Sequence, residues 1–74
     1  MKQFLCVKLA ELELPNLLVV TERDREAAKK VLIDWLKERY TAAMVMDDIP
    51  LLNCLVMTEL PSAAEAGVQV IQET

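Results

Sequence analysis

The sequence contains no histidine, a single glycine and a single serine. Histidine is the usual general base and metal ligand and the side chain that titrates nearest neutral pH, so its absence removes the commonest route to each role. Gly67 stands alone, which excludes a glycine-rich phosphate-binding loop. Ser62 lacks the flanking glycines of a nucleophilic serine. We therefore expect no enzyme, no cofactor and no metal site.

Cysteine is also scarce: Cys6 and Cys54 are the only two, and they do not form a CxxC motif. Each falls in an apolar run typical of a strand, where a thiol acts as a small hydrophobic side chain. On neighbouring strands they could form a disulfide, given a suitable Cα separation. No run approaches the ~18 apolar residues of a membrane helix, and the apolar start is too short for a secretory signal. The sequence indicates a cytoplasmic protein with reduced thiols and no membrane partner.

The net charge of −4 disfavours a surface that binds nucleic acid, because such a surface normally needs a basic patch. Six basic and five acidic residues alternate between Glu22 and Arg39, with pairs at helical spacing such as Glu26 and Lys30. This pattern favours a solvated helix face over phosphate contacts. The adjacent carboxylates Asp47 and Asp48 favour a solvated turn over a cation site, since no third ligand is evident.

Alternating and helical apolar patterns divide the chain into short elements. Residues 1–9 and 17–20 predict strands joined through a turn at Pro15 and Asn16. Residues 22–40 predict one long amphipathic helix, which a weak capping box at Thr21 and Asp24 precedes. Further predicted elements are a strand at 41–46, a turn at 47–50, a strand at 51–60, a helical turn at 62–66 and a strand at 68–71.

These elements predict a single α+β domain over residues 1–74. The sheet is small and mainly antiparallel, in the order ββαββ plus a C-terminal strand, and the one long helix packs on one face. Hydrophobic residues make up 54% of the chain, which is typical of a folded protein.

The predicted strands are apolar on both faces, whereas one helix covers only one face of a sheet. In residues 51–60, strand alternation places Leu51, Leu55 and Met57 with Asn53 on one side, while the other side is also apolar. We expect a second chain to cover the uncovered side, although the C-terminal segment and loops are an alternative cover. Ile33 and Tyr40 flank the apolar stripe of the helix and belong either to the core edge or to a partner contact. The candidate interface residues are thus Leu51, Asn53, Leu55, Met57, Ile33 and Tyr40.

The first functional hypothesis is a non-enzymatic protein–protein interaction module, an adaptor or inhibitor that acts as a homodimer with a further protein partner. One alternative is a regulatory protein associated with nucleic acid, through its helix face or as an acidic mimic. Another is a small-molecule-binding protein with a pocket at the dimer seam.

Overall fold

Four strands form one antiparallel sheet, and three helices pack against it. The computed structural model describes residues 1–62 and 65–73. The strands are β1 (Lys2–Lys8), β2 (Leu17–Glu22), β3 (Leu55–Leu60) and β4 (Gly67–Gln72), and the helices are α1 (Arg25–Arg39), α2 (Thr41–Met44) and α3 (Asp48–Asn53). The spatial order of the strands is β3-β1-β2-β4, and each strand is antiparallel to its neighbours. The predicted α+β class, with one long helix on a small antiparallel sheet, is confirmed.

The core lies on the side of the sheet that carries the even-numbered residues of the two central strands. Phe4 lies opposite Val20 and Cys6 lies opposite Leu18, and all four side chains are fully buried. Successive residues of a strand point to opposite faces, so this register places them together beneath the helices. The helices contribute further fully buried side chains, which are Ala28, Leu32, Leu36, Ala43 and Leu51.

Asp24 is the N-cap residue of helix α1. Asp24 has extended backbone angles, and its carboxylate accepts a hydrogen bond from the backbone N–H of Ala27 at 2.8 Å. Such a cap satisfies one of the N–H groups that the first turn leaves unpaired. The predicted capping box that begins at Thr21 is wrong, because Thr21 belongs to β2 and is itself buried. Tyr40 ends the helix in an extended conformation, with its N–H bonded to the carbonyl of Leu36.

Two predicted strand segments are helical. Residues 41–44 form α2 rather than the start of a strand, and residues 51–53 belong to α3, so β3 begins only at Leu55. Short apolar runs do not distinguish a strand from a buried helix by periodicity alone. Pro50, which the sequence predicts in a turn, lies in the first turn of α3, where a proline removes no helical hydrogen bond.

The last strand, β4, begins at Gly67, whose φ of +154° is open to glycine and strained for other residues. A register irregularity lies where β4 passes Leu17 and Leu18 of β2, so Ile71 sits in a bulge. The helical turn predicted over residues 62–66 includes Ala63 and Ala64, which lie outside the described residues.

Candidate interaction surface

One face of the sheet carries no helix, and we call it the open face. It is formed by the residues of each strand that alternate with the core residues, and it has three cross-strand rows. In the middle row, Leu5 lies between Val19 on β2 and Thr58 on β3. The open face comprises Gln3, Leu5, Val7, Leu17, Val19, Thr21, Val56, Thr58, Leu60, Gln69 and Gln72.

No side chain of the open face is charged, although 27% of the whole chain is charged. Its members are aliphatic residues, threonine and glutamine. Solvated sheet surfaces normally carry lysine, glutamate and other charged residues. An uncharged, largely aliphatic sheet face is typical of a surface that another layer covers.

Among residues 1–62 and 65–73 no helix covers the open face, although Glu65 and Ala66 border it beside Val19 and Thr21, and Thr21 is buried. The aliphatic residues of the open face do not belong to the core cluster and do not pack against it. By contrast, Leu55 and Met57 of β3 and Val68 of β4, which alternate with open-face residues, do pack against that cluster. Val56, on the edge strand β3, is 43% exposed, and Ile71, in the bulge of β4 at the opposite edge, is 53% exposed. The helices therefore cover one side of the sheet alone.

The size of the open face suits a small protein interface. Four strands at ~4.8 Å spacing, with six residues at ~3.4 Å rise, project onto roughly 19 by 20 Å, or about 400 Å². The accessible area is larger than this projection because side chains stand above the sheet. Two such faces in contact approach the ~1,000 Å² of total buried surface at which specific interfaces begin.

The residues proposed from sequence as an interface do not form this face. Leu51 is fully buried in α3, and Asn53 is exposed at the end of the same helix. Leu55 and Met57 lie on β3 but face the helices. The placement of these three apolar side chains on an uncovered face was wrong. Leu51 is buried in α3, and Leu55 and Met57 alternate with Val56 as predicted, but the helices pack on their side and leave the side of Val56 open.

The two flanking helix residues are likewise drawn inward. Ile33 is only 7% exposed and belongs to the core cluster. Tyr40 is partly buried, and its hydroxyl donates to the Glu73 carboxylate, with O–O distances of 3.3 and 3.4 Å. Burial and the negative charge of Glu73 both raise the pKa of Tyr40. The sequence allowed Ile33 and Tyr40 to belong either to the edge of the core or to a partner contact, and these contacts favour the edge of the core.

The sequence did contain the signal for the open face, in the parity of β1. Leu5 and Val7 alternate with Phe4 and Cys6, so both faces of this strand are apolar. Its central position in the sheet could not be deduced from the sequence. Once β1 and β2 pair at the centre, their odd-numbered residues must form an apolar strip on the side away from the helices.

The two cysteines occupy different environments and are both free. Cys6 is fully buried in β1, and burial raises the pKa of its thiol to about 12. Such a thiol stays protonated and is a poor nucleophile, as expected for core packing. Cys54 is half-buried at the end of α3 rather than in a strand, and its Sγ donates to the Pro50 carbonyl at 3.3 Å.

The ion pairs among the described residues lie in the helices or immediately beside them. The shortest pair joins the Lys37 ammonium to Asp48 at 2.7 Å and links α1 to α3. Asp48 thus lies in the first turn of a helix rather than in the predicted loop. Lys29 pairs with Glu26 at 3.3 Å within α1. Within the described ranges, no three acidic or cysteine side chains cluster closely enough to hold a metal ion.

The two edges of the sheet differ. Leu9 donates its N–H to the Cys54 carbonyl, so the odd-numbered residues of β1 form the hydrogen bonds to β3. Met57 lies opposite Cys6, an even-numbered residue that does not bond to β3. The Met57 carbonyl therefore points away from β1, to the free edge of the sheet. The Arg25 guanidinium occupies that carbonyl at 2.8 Å. At the other edge, β4 contains neither a charged residue nor a proline.

No protein-family model, no curated protein and no solved structure matches this chain. In the part of the chain that the structure describes, none of the helices has the length and apolar character needed to cross a membrane.

Proposed function

We propose that this protein is a non-enzymatic interaction module that acts as a homodimer, in which two copies stack their open faces. The observation that carries the proposal is the absence of any charged side chain from that face, which the helices leave uncovered. Stacked sheets with interdigitated aliphatic side chains are a common way to complete a core. For a domain of 74 residues, association adds buried apolar surface that one chain alone cannot supply.

A second copy suits this face better than a charged partner does. Protein partners are normally steered and selected by complementary charges across the interface, and the open face offers none. Two copies carry −4 each and repel each other at a distance, but no like charges meet within the face itself. A two-fold axis also brings the same face of both copies together, as the closed interface of a dimer requires.

The dimer would present its helices on two opposite outer surfaces. Each surface carries the same exposed apolar side chains, among them Met44, Val45 and Ile49. Two identical surfaces on one rigid body suit an adaptor that engages two copies of a partner at once, because the second contact benefits from a high effective concentration. This is the form in which we propose that the module acts on other proteins.

The oligomeric state tests the proposal, and the chain supplies a matched pair of valines for the purpose. Val56 lies on the open face and is 43% exposed, whereas Val45 follows α2 and is 80% exposed. We expect wild-type protein to sediment as a dimer across a wide range of concentration. Val56→Lys should weaken the dimer about a hundredfold or more, because the contact would bury an unpaired ammonium group. Val45→Lys should leave the dimer intact.

We expect circular dichroism to show that both variants remain folded. A wild-type chain that sediments as a monomer at all concentrations would contradict the proposal. Equal dissociation of the Val56→Lys and Val45→Lys variants would contradict it as well, since it would place the contact elsewhere.

A further inference from the structure

On the helix side of the sheet, a cavity of about 300 Å³ opens between α1, α3 and β3. Its floor is apolar and is made by Leu32, Leu52, Leu55 and Met57. Ile49 stands at the mouth and is 73% exposed. Small-molecule sites are mostly apolar clefts of ~300 to 1,000 Å³ with a few polar groups that fix the ligand. This cavity lies at the small end of that range.

The charged groups of this cavity are all positive. Arg25 and Lys29 lie on the same side of α1, and among the described residues no carboxylate lines the cavity with them. This is an unusual local charge in a chain whose net charge is −4. A neighbouring cavity on the far side of Leu52 differs, because Glu26, Asp34 and Asp48 line it together with lysines.

The two cations are arranged differently and complement each other. The Arg25 guanidinium is held in place, since it donates to the Met57 carbonyl at 2.8 Å and lies 5.2 Å from the centre of the Phe4 ring. Its remaining N–H donors stay available for a planar anion. Lys29 pairs only with the exposed carboxylate of Glu26, at 3.3 Å. Such an exposed pair contributes little, so a ligand carboxylate can displace it.

We propose that this cavity binds a small aliphatic carboxylate. Its carboxylate would lie between Arg25 and Lys29, and its hydrocarbon part would cover Leu52 and Leu55. The small volume fits a short chain, and the apolar floor disfavours inorganic anions and nucleotides, which need polar contacts on all sides. The site lies on the opposite side of the sheet from the open face, so it stands independently of the proposed dimer.

Octanoate is a suitable probe. Octanamide is a matched control that lacks the negative charge, and inorganic phosphate is a control that lacks the hydrocarbon chain. In ¹⁵N-correlated NMR titrations, we expect octanoate to shift saturably the amides of Ile49, Leu52 and Leu55. Octanamide and phosphate should each bind about tenfold more weakly or worse, because each lacks one of the two kinds of contact.

Variants of α1 locate the site. Arg25→Met and Lys29→Met should each weaken octanoate binding about tenfold, the loss of one charge-assisted hydrogen bond. Lys30→Met is the control, because Lys30 lines the neighbouring cavity only. The use of two separate variants keeps the test valid should one of them impair folding.

Three results would overturn the proposal. The first is equal binding of octanoate and octanamide, and the second is unchanged binding in both Arg25→Met and Lys29→Met. The third is a set of shifts centred on Leu5 and Val19, which would show that the hydrocarbon chain binds the open face instead.

Discussion

Leu5 and Val19 lie directly opposite each other on the two central strands, at the middle of the open face. Because neither they nor the other open-face residues are charged, the proposed dimer should depend little on ionic strength. Between physiological and high sodium chloride, we expect its dissociation constant to change less than about threefold. Sodium sulfate should instead strengthen the dimer, since it favours apolar burial. Sedimentation equilibrium measures both, and a tenfold weakening by chloride would show that charged contacts hold the dimer together.

Asp24, rather than Thr21, is expected to set the start of α1. Asp24→Ala should lower the free energy of unfolding by about 1 kcal/mol, because the N–H of Ala27 loses its acceptor. Asp24→Asn keeps an acceptor oxygen and should retain most of that stability. Urea titrations of the two variants make the comparison. If Asp24→Ala unfolds at the same urea concentration as the wild type, the cap contributes nothing.

Lys8 is expected to hold the loop between β1 and β2. Its ammonium donates to the carbonyls of Leu12 at 2.7 Å and Leu14 at 3.3 Å. Lys8→Met keeps the aliphatic stem but removes these bonds, and it should cost about 1 to 3 kcal/mol. Lys2→Met, on the same strand, is the control because Lys2 is exposed. Similar losses of stability in the two variants would show that the ammonium of Lys8 has no structural role.

Cys6 should make the folded state less stable in alkaline solution. Its pKa rises from 9.0 to about 12 on folding, because burial disfavours the thiolate. Below pH 9 both the folded and the unfolded chain keep the thiol proton, so the contribution of the buried neutral thiol to the stability of the folded state is fully present. Above pH 9 the unfolded chain releases the proton while the native chain retains it, so this stabilisation declines as the pH rises towards 12.

The measurement compares urea midpoints at several pH values for wild type and Cys6→Ala. The variant should show a shallower decline above pH 9, whatever its stability at neutral pH. Tyr40 also has a raised pKa and contributes in the same direction, so both proteins are best studied with Tyr40→Phe. Parallel pH profiles would mean that Cys6 does not titrate differently in the two states.

The sequence predicted the central part of the fold well, because there the local patterns and the tertiary structure agree. Strand alternation over residues 1–9 puts Phe4 and Cys6 on the same face, and that face is the core. The stripe of α1 that includes Leu32 and Leu36 is buried as its periodicity indicated. In these segments a period of two or 3.6 residues identifies the element.

The segment between α1 and β3 could not be predicted in the same way. Residues 41–53 are apolar without a clear period, and their helices are too short to show one. The core contacts of Ala43 and Leu51 stabilise them there. The predicted alternation of Leu55 and Met57 with Val56 is present, but the helices cover the side of Leu55 and Met57, so the uncovered apolar face was assigned to the wrong side of β3.

The Arg25 side chain has a consequence for how strands of separate molecules can join. Open-ended fibre growth by strand addition requires a receptive edge on both sides of the sheet. Arg25 already occupies a carbonyl on the outer edge of β3, while the edge of β4 has no such guard. Addition of a further strand is therefore hindered at β3 and favoured at β4.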